Sequence, residues 1–175
     1  MSFFIAADLD ARVRAQVVGW MDPLQQRLPA KWLRPDKLHL TLVFLGHPPA
    51  DRLEALRAHM AAVATRHAPF QLHLAGSGRF VTARAPDVLW LGVGGALEPL
   101  HALAADLARA AELDPERTYR PHVTLARGQS TDALKGAEQA LQRSVTEPFV
   151  VDHLTLYESA NDRYRAVTST PLRAR

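Results

Sequence analysis

The sequence predicts a mixed α and β domain built from two similar halves, which bring two histidine-bearing strands together. Strands and helices alternate along the chain, and each half has the order strand, helix, His-x-Thr strand, helix, strand. Corresponding intervals are also similar: Ile5 to His39 spans 34 positions and Leu91 to His122 spans 31. An internal repeat of this size would relate the two His-x-Thr strands by a pseudo-twofold axis. Ordinary alternation of strands and helices would give comparable spacings, so it stays as the alternative.

Length and composition predict a single domain over residues 1–175. Hydrophobic residues make up 47% of the chain and charged residues 22%, as in globular proteins that form their own core. The absence of cysteine excludes disulfides, thiolate nucleophiles and cysteine-based zinc sites. The first residues lack the basic segment of a signal peptide, and no apolar stretch is long enough for a membrane span. We therefore expect a cytoplasmic monomer that does not bind membranes.

The first half contains three predicted strands and two predicted helices. Apolar runs and alternation predict strands at residues 3–7, 38–45 and 70–74. Apolar residues at helical spacing predict one helix after an Asp10 cap and another after an Asp51 cap. Gly46 and the two prolines that follow it end the second strand.

The second half repeats this order. Strands are predicted at residues 88–93, 121–126 and 149–157, and helices at 97–113 and 131–142. Leu100, Leu103 and Leu107 give the first of these helices an apolar face. A further strand at residues 164–172 would lie at the edge of a sheet.

Three segments share the pattern His-apolar-Thr-apolar, at residues 39–42, 122–125 and 153–156. With 8 histidines, 10 threonines and 47% hydrophobic residues in the chain, chance predicts roughly 0.1 such matches. Side chains at i and i+2 of a strand point to one face, so each His projects beside its Thr. An imidazole transfers protons, and a hydroxyl donates to phosphate oxygens. Two facing strands of this kind predict a metal-independent acid–base site for a phosphate ester.

The first two copies are the ones that we assign to this site. Each of their strands is closed by a glycine, Gly46 or Gly128, and is followed by a predicted helix, whereas no helix follows His153. We therefore interpret His153 as a structural or incidental strand residue. The alternative for His39 and His122 is also structural, as half-buried histidines bonded to neighbouring backbone.

The segments around these two copies resemble the signatures of a known family. Residues 32–46, Trp-Leu-Arg-Pro-Asp-Lys-Leu-His-Leu-Thr-Leu-Val-Phe-Leu-Gly, and residues 119–127, Tyr-Arg-Pro-His-Val-Thr-Leu-Ala-Arg, are similar to the paired motifs of the two-histidine (2H) phosphoesterases. Residues 4–6, 88–92 and 156–159 look like strands of one branch, the RNA 2′,3′-cyclic phosphodiesterases, historically called 2′-5′ RNA ligases. The resemblance covers essentially the whole chain.

The resemblance implies a bilobal, duplicated α+β fold, in which two antiparallel-rich sheets with flanking helices surround a central cleft. It implies that His39 is the proton donor, His122 the proton acceptor, and Thr41 and Thr124 the phosphate-binding hydroxyls. The residues alone identify these four positions but do not assign acid and base. The implied substrate is an RNA end or nucleotide with a 2′,3′-cyclic phosphate, hydrolysed to a 2′-phosphomonoester without cofactor or metal. Reverse 2′-5′ RNA ligation is the implied minor activity.

Two further residues are expected to bind substrate, although strict alternation argues against both. Arg127 lies three residues after Thr124, which places it on the opposite face unless the strand ends or bulges at Ala126. Phe44 lies at the same odd spacing from Thr41. The family pattern favours a phosphate contact for Arg127, and the alternative is a solvated arginine at a strand end. For Phe44, the spacing favours a place in the core over a base-stacking surface.

The sequence departs from the family pattern at two places. Pro86-Asp87 stands where relatives often carry Pro-Arg, and residues 160–163 lack the expected glycine-rich turn. Both departures concern the RNA-binding surface.

Two other functions stay open: hydrolysis of another cyclic or 2′-5′-linked nucleotide, and a non-catalytic module that binds RNA ends. Retention of both motifs argues against the module, because binding alone needs no acid–base pair. The sequence also lacks a Gly-rich phosphate loop, which disfavours an ATP-dependent ligase.

Overall fold

The computed structural model describes residues 1–115, 119–128 and 131–173, which form nine strands and four helices. The strands are β1 (Ser2–Asp8), β2 (Lys31–Trp32), β3 (His39–Gly46), β4 (Phe70–Thr82), β5 (Ala85–Gly95), β6 (His122–Gly128), β7 (Phe149–Val151), β8 (His153–Ala160) and β9 (Arg163–Pro171). The helices are α1 (Ala11–Gln25), α2 (Ala50–Ala64), α3 (Leu97–Ala110) and α4 (Thr131–Leu141).

The strands form two antiparallel sheets, ordered β3-β1-β8-β9 and β2-β6-β5-β4-β7. In each sheet a His-x-Thr strand pairs with the opening strand of its own half, as β3 pairs with β1 and β6 with β5. The next strand in each sheet comes from the other half, because β8 pairs with β1 and β4 pairs with β5. The predicted α+β fold with two antiparallel sheets is confirmed, and the halves exchange their third strands.

One hydrophobic core joins the sheets to the helices. It includes the fully buried side chains of Ile5, Leu40, Leu91 and Leu103, from strands of both sheets and from α3. Helix α3 contacts both sheets through β3 and β4, α2 packs against α3 and β9, and α4 covers β4, β5 and β6. The two His-x-Thr strands therefore rest on a shared apolar base, whose burial is the main favourable term in folding.

Two strand predictions need correction. The predicted strand at 149–157 is two strands, because β7 joins β4 in one sheet while β8 joins β1 in the other, with Asp152 between them. The third strand does not end before Gly76 but continues to Thr82, passing a register shift between Leu74 and Ser77. The two-residue strand β2 was not predicted, since two residues carry no periodicity.

The helix boundaries agree in part. Asp10 caps α1 as predicted, accepting a hydrogen bond from Val13 N at 2.7 Å. Helix α2 begins after Pro49, so Asp51 lies in its first turn instead of capping it. Helix α3 ends at Ala110, short of the predicted residue 113. None of the helices in the described ranges has both the length and the apolar character needed to span a bilayer.

Gly78 on β4 is the register partner of Trp90 on β5, and the indole ring lies directly over it. A Cβ at position 78 would lie 2.2 Å from that ring, so the ring would have to move in a Gly78→Ala variant. We expect a loss of about 1–3 kcal/mol in the free energy of unfolding, the usual cost of overpacking, measured by urea denaturation.

Gly19→Ala is the matched control for this prediction. A Cβ at Gly19 meets nothing within 4 Å, and the residue lies inside α1. Alanine should therefore stabilise the protein by roughly 0.5–1 kcal/mol. Equal destabilisation by both substitutions would contradict this account of the Gly78 site.

Candidate active site

The two motif strands share the same irregularity. In β3, Leu42 is an extra residue relative to the register with β1. In β6, Leu125 is an extra residue relative to the register with β5. Each is a β-bulge, and each falls at the fourth position of its His-x-Thr-x motif. Because a bulge adds one residue, it reverses the alternation of side chains beyond it.

The bulges return Phe44 and Arg127 to the face that carries the motif side chains. In both strands the last residue of the motif and the residue after it are buried, and the residue that follows these two is exposed. Phe44 is 64% exposed, so the core alternative for this residue is wrong. For Arg127 the sequence required the strand to end or bulge at Ala126, and the strand does bulge, but one residue earlier, at Leu125.

One cleft brings the six predicted site residues together. A cavity of about 390 Å³ is lined by His39, Thr41, Phe44, His122, Thr124 and Arg127. A second cavity, of about 900 Å³, shares Thr41, Phe44 and His122 with the first, so the two are arms of one cleft that meet at the motifs. We call the first the cationic arm, after Lys31, Arg34, Lys37 and Arg127, and the second the apolar arm, after Phe80, Ala104, Leu113 and Tyr119.

Hydrogen bonds fix both imidazole rings in the same way. His39 Nδ1 donates to the Lys37 carbonyl at 2.7 Å, and His122 Nδ1 donates to the Arg120 carbonyl at 2.6 Å. A carbonyl oxygen only accepts, so Nδ1 keeps its proton in both rings, and Nε2 is the nitrogen that gains or loses one. His39 Nε2 lies 2.9 Å from Thr41 Oγ1. The two motifs therefore present equivalent titrating nitrogens.

Aromatic rings surround each imidazole. Phe4 stacks on His39 with 4.7 Å between ring centroids, and Tyr164 meets the same ring edge-on at 5.4 Å. Phe80 lies edge-on to His122 at 4.9 Å. These rings restrict the orientations of the imidazoles and remove water from them, which disfavours the charged form.

The electrostatic surroundings of the two histidines differ. Burial is the largest influence on both and lowers the pKa of each below 6.5, although the bonds to the carbonyls act in the opposite direction. The Asp8 carboxylate raises the pKa of His39, whereas the Arg127 guanidinium lowers the pKa of His122 further. Asp8 is the register partner of His39 across β1 and β3. The imidazolium is thus favoured at His39 relative to His122 by these two neighbours.

The third His-x-Thr copy has a different structure. Its strand, β8, adds no extra residue relative to β1, and Thr155 is buried and donates to Asp8 Oδ2 at 2.8 Å. His153 Nε2 lies 3.1 Å from the same oxygen, and Tyr157 donates to Asp8 Oδ1 at 2.7 Å. Burial lowers the pKa of His153, but its bonds to Asp152 and Asp8 raise it above 6.5 overall. This copy fixes the Asp8 carboxylate and lines neither arm of the cleft.

Asp8, Asp152 and His153 lie close together, but they do not form a metal site. Neither they nor any other group of three or more His, Asp or Glu side chains within the described residues is arranged to hold a metal ion.

Several supporting residues were missed by the sequence reasoning. Tyr119 donates to the Thr41 carbonyl at 2.9 Å and so ties the approach to β6 to strand β3. Lys37 lines the cleft although it is only 6% exposed. Lys37 lies in the first signature segment and Tyr119 in the second. Asp8 lies on the same face of β1 as Phe4, because residues at even spacing in a strand share a face. Strand period was therefore a usable signal for Asp8.

The departure at Asp87 does not affect the cleft. Asp87 is buried and accepts a hydrogen bond from Arg79 Nη1 at 3.4 Å, while Arg79 Nε donates to Glu138 on α4 at 2.5 Å. This ion pair lies on the side of β4 and β5 that α4 covers. Asp87 therefore helps to fix helix α4 against the sheet and does not line either arm of the cleft.

Comparison with known proteins points to one family. Residues 12–163 match the family described as the 2'-5' RNA ligase superfamily. The RNA 2′,3′-cyclic phosphodiesterase of Escherichia coli (strain K12) is 32% identical over 177 aligned positions, covering 97% of this chain and 93% of that protein. The enzyme of the same name from Geobacillus stearothermophilus is 32% identical over 97% of this chain, which spans 57% of that protein's length. The crystal structure of E. coli LigT in apo form superposes with a TM-score of 0.76 at 29% identity, covering 98% of this chain and 97% of that chain.

Both imidazoles should titrate below pH 6.5 in the free protein, because burial disfavours the imidazolium. Asp8→Asn removes a carboxylate that favours charged His39, so the pKa of His39 should fall further while that of His122 stays unchanged. NMR titration of the imidazole Cε1 protons measures both values in one sample.

Asp152→Asn is the control for the Asp8 variant. Asp152 bonds to His153, so its replacement should lower the pKa of His153 and leave that of His39 in place. A pKa of His39 that does not fall in Asp8→Asn would show that the carboxylate does not favour the charged form of this ring.

Proposed function

Because the chain belongs to the 2′-5′ RNA ligase superfamily, we propose that it is an RNA 2′,3′-cyclic phosphodiesterase that opens the cyclic phosphate at an RNA end to a 2′-phosphomonoester. The relatives from Escherichia coli and Geobacillus stearothermophilus carry that enzyme name and match 97% of this chain. The observation that carries the proposal is the meeting of two bulged His-x-Thr strands at one cleft, each with a titrating Nε2.

Two proton transfers complete the reaction. Water attacks phosphorus, and the bond between phosphorus and the 3′ oxygen breaks. His122 Nε2 takes the proton from water, and His39 Nε2 gives its proton to the departing 3′ oxygen, so the enzyme neither gains nor loses a proton overall. Each histidine ends in the protonation state with which the other began, and exchange with solvent restores both.

The neighbours of the two rings support this division of roles. Burial lowers the pKa of both, and the nearby charges act on the two pKa values in opposite directions. A proton donor must start charged, and the Asp8 carboxylate beside His39 favours that state. A proton acceptor must start neutral, and Arg127 near His122 favours that state. The reverse assignment would work against both charges.

The remaining predicted residues fit contacts with the phosphate and the nucleoside. The hydroxyls of Thr41 and Thr124 donate to phosphate oxygens, and the Arg127 guanidinium balances the negative charge of the phosphate. The exposed ring of Phe44 lies where the two arms meet and offers a surface for base stacking. In the reverse direction the same groups would join RNA ends through a 2′-5′ linkage.

We extend the proposal to the assembly of the protein. One chain supplies both motifs to one cleft, so residues 1–175 would act as a single bilobal domain and as a monomer. A cytoplasmic location would give this enzyme access to RNA ends.

Incubation with nucleoside 2′,3′-cyclic phosphates in EDTA tests the function. Turnover should survive chelation, because the two imidazoles supply both proton transfers, and phosphorus NMR should identify the 2′-phosphate as the product. Activity that is lost in EDTA and restored by a divalent ion would contradict the two-histidine chemistry. A 3′-phosphate product would mean that the 2′ oxygen departs instead.

Replacement of the histidines tests the site. His39→Ala and His122→Ala should each lower kcat by about 10² to 10⁴, the span for a positioned acid or base. His153→Ala should stay near the wild-type value, because His153 does not line the cleft and Asp8 keeps its bonds from Thr155 and Tyr157. Thermal unfolding of each variant separates lost chemistry from lost folding, and an equally damaging His153→Ala would contradict our choice of motifs.

The pH dependence of the His39 variant tests the roles. With a phosphodiester whose leaving group needs no protonation, His39→Ala should lose the alkaline limb of kcat/KM and keep the acidic limb. Loss of the acidic limb instead would reverse the two assignments.

A further inference from the structure

A carboxylate lies in the cationic arm of the cleft. The β8–β9 hairpin turns through Asn161 and Asp162, whose φ angles are 49° and 59°. Two consecutive residues with positive φ form the tight turn that suits a two-residue hairpin. This is where the sequence lacks a glycine-rich turn. Asp162 Oδ1 lies 2.5 Å from Lys37 Nζ and 3.8 Å from Lys31 Nζ.

Lys37 is held rigidly in this arm. It is 6% exposed, and a lysine so deeply buried requires a compensating anion, which Asp162 provides. Its ammonium also lies 5.1 Å from the centre of the Tyr164 ring. Its carbonyl accepts the hydrogen bond from His39 Nδ1, so the ammonium is anchored beside the motif histidine.

The arm carries more positive charge than a cyclic phosphate needs. A 2′,3′-cyclic phosphate has one negative charge, which Arg127 and a charged His39 already balance. Lys31 and Lys37 line the same arm, and Lys31 reaches it with an exposed side chain. Their surplus charge, partly neutralised by Asp162, fits a second anion attached to the first.

We infer that Lys31 and Lys37 bind the phosphodiester that precedes the terminal nucleotide of the RNA, and that Asp162 occupies this subsite until RNA displaces it. The inference rests on the proposed function. The carboxylate oxygen marks the position that a phosphate oxygen takes. A mononucleotide brings no second phosphate and leaves Asp162 in place, whereas a longer RNA replaces it. The preferred substrate is therefore an oligonucleotide, with Asp162 setting the degree of preference.

The test is the ratio of kcat/KM for a dinucleotide with a 2′,3′-cyclic phosphate end to that for the matching mononucleotide. The wild-type ratio should exceed one and fall with salt, since a neutralised phosphate of a single strand adds about −0.7 to the logarithmic salt slope. Lys31→Gln should bring the ratio towards one. Asp162→Asn should raise it by up to about fivefold, the upper range for an ion pair whose carboxylate is exposed to solvent, and asparagine tolerates the positive φ.

Two matched variants control for net charge. Lys135→Gln on α4 and Asp22→Asn on α1 make the same charge changes at exposed positions that line neither arm. Both should leave the ratio at its wild-type value. A shift in these variants equal to that in Lys31→Gln or Asp162→Asn would overturn the subsite, because overall charge would then explain the effect.

Binding of the reaction products separates this inference from the proposed function. Calorimetry with a dinucleotide ending in a 2′-phosphate and with a nucleoside 2′-phosphate needs no turnover. Tighter binding of the dinucleotide, lost in Lys31→Gln, supports the subsite even if no cyclic phosphate is hydrolysed. Turnover with equal ratios in wild type and both variants rejects the subsite and leaves the activity standing. A lower ratio in Asp162→Asn would mean that Asp162 positions the lysines instead of competing with RNA.

Discussion

The cleft depends on a break in strand alternation at the same place in two strands. Without the bulges at Leu42 and Leu125, each strand would present its histidine and threonine to the cleft but turn the next polar or aromatic side chain away. With them, three successive contacts per strand point to one side, and the two buried residues at the bulge still enter the core. The repeated bulge therefore adds a third cleft-lining side chain to each His-x-Thr pair.

The two halves are alike in backbone and unlike in charge. Both imidazoles donate from Nδ1 to a carbonyl two residues earlier, and both are packed among aromatic rings. The two sites differ in the charged residue near each ring, which is Asp8 for His39 and Arg127 for His122. Two similar imidazoles are thus placed in opposite electrostatic surroundings, as the proposed division into proton donor and proton acceptor requires. The third motif copy contributes to this asymmetry by holding Asp8.

The sequence predicts those parts of the site that follow from local geometry. His39 and Thr41 share a face because strand period is a local property, and the Asp10 cap is read from adjacent residues. The exposure of Phe44 depends on register with β1, which no local pattern contains. The split of residues 149–157 between two sheets was hidden because only Asp152 separates β7 from β8, and no glycine or proline marks the change of sheet. The approach of Asp162 to Lys37 joins positions 125 residues apart, so only the folded chain reveals it.

The exchange of third strands has a consequence for how the site comes into being. The opening strand of each half has its own motif strand on one side and a strand of the other half on its second side. A half folded alone would leave that second edge open, with backbone groups unpaired and prone to association. The two halves resemble a strand-swapped dimer whose two subunits are joined in one chain, because each half completes its sheet with a strand of the other half. We therefore expect the geometry of the cleft to form only when both halves have folded together.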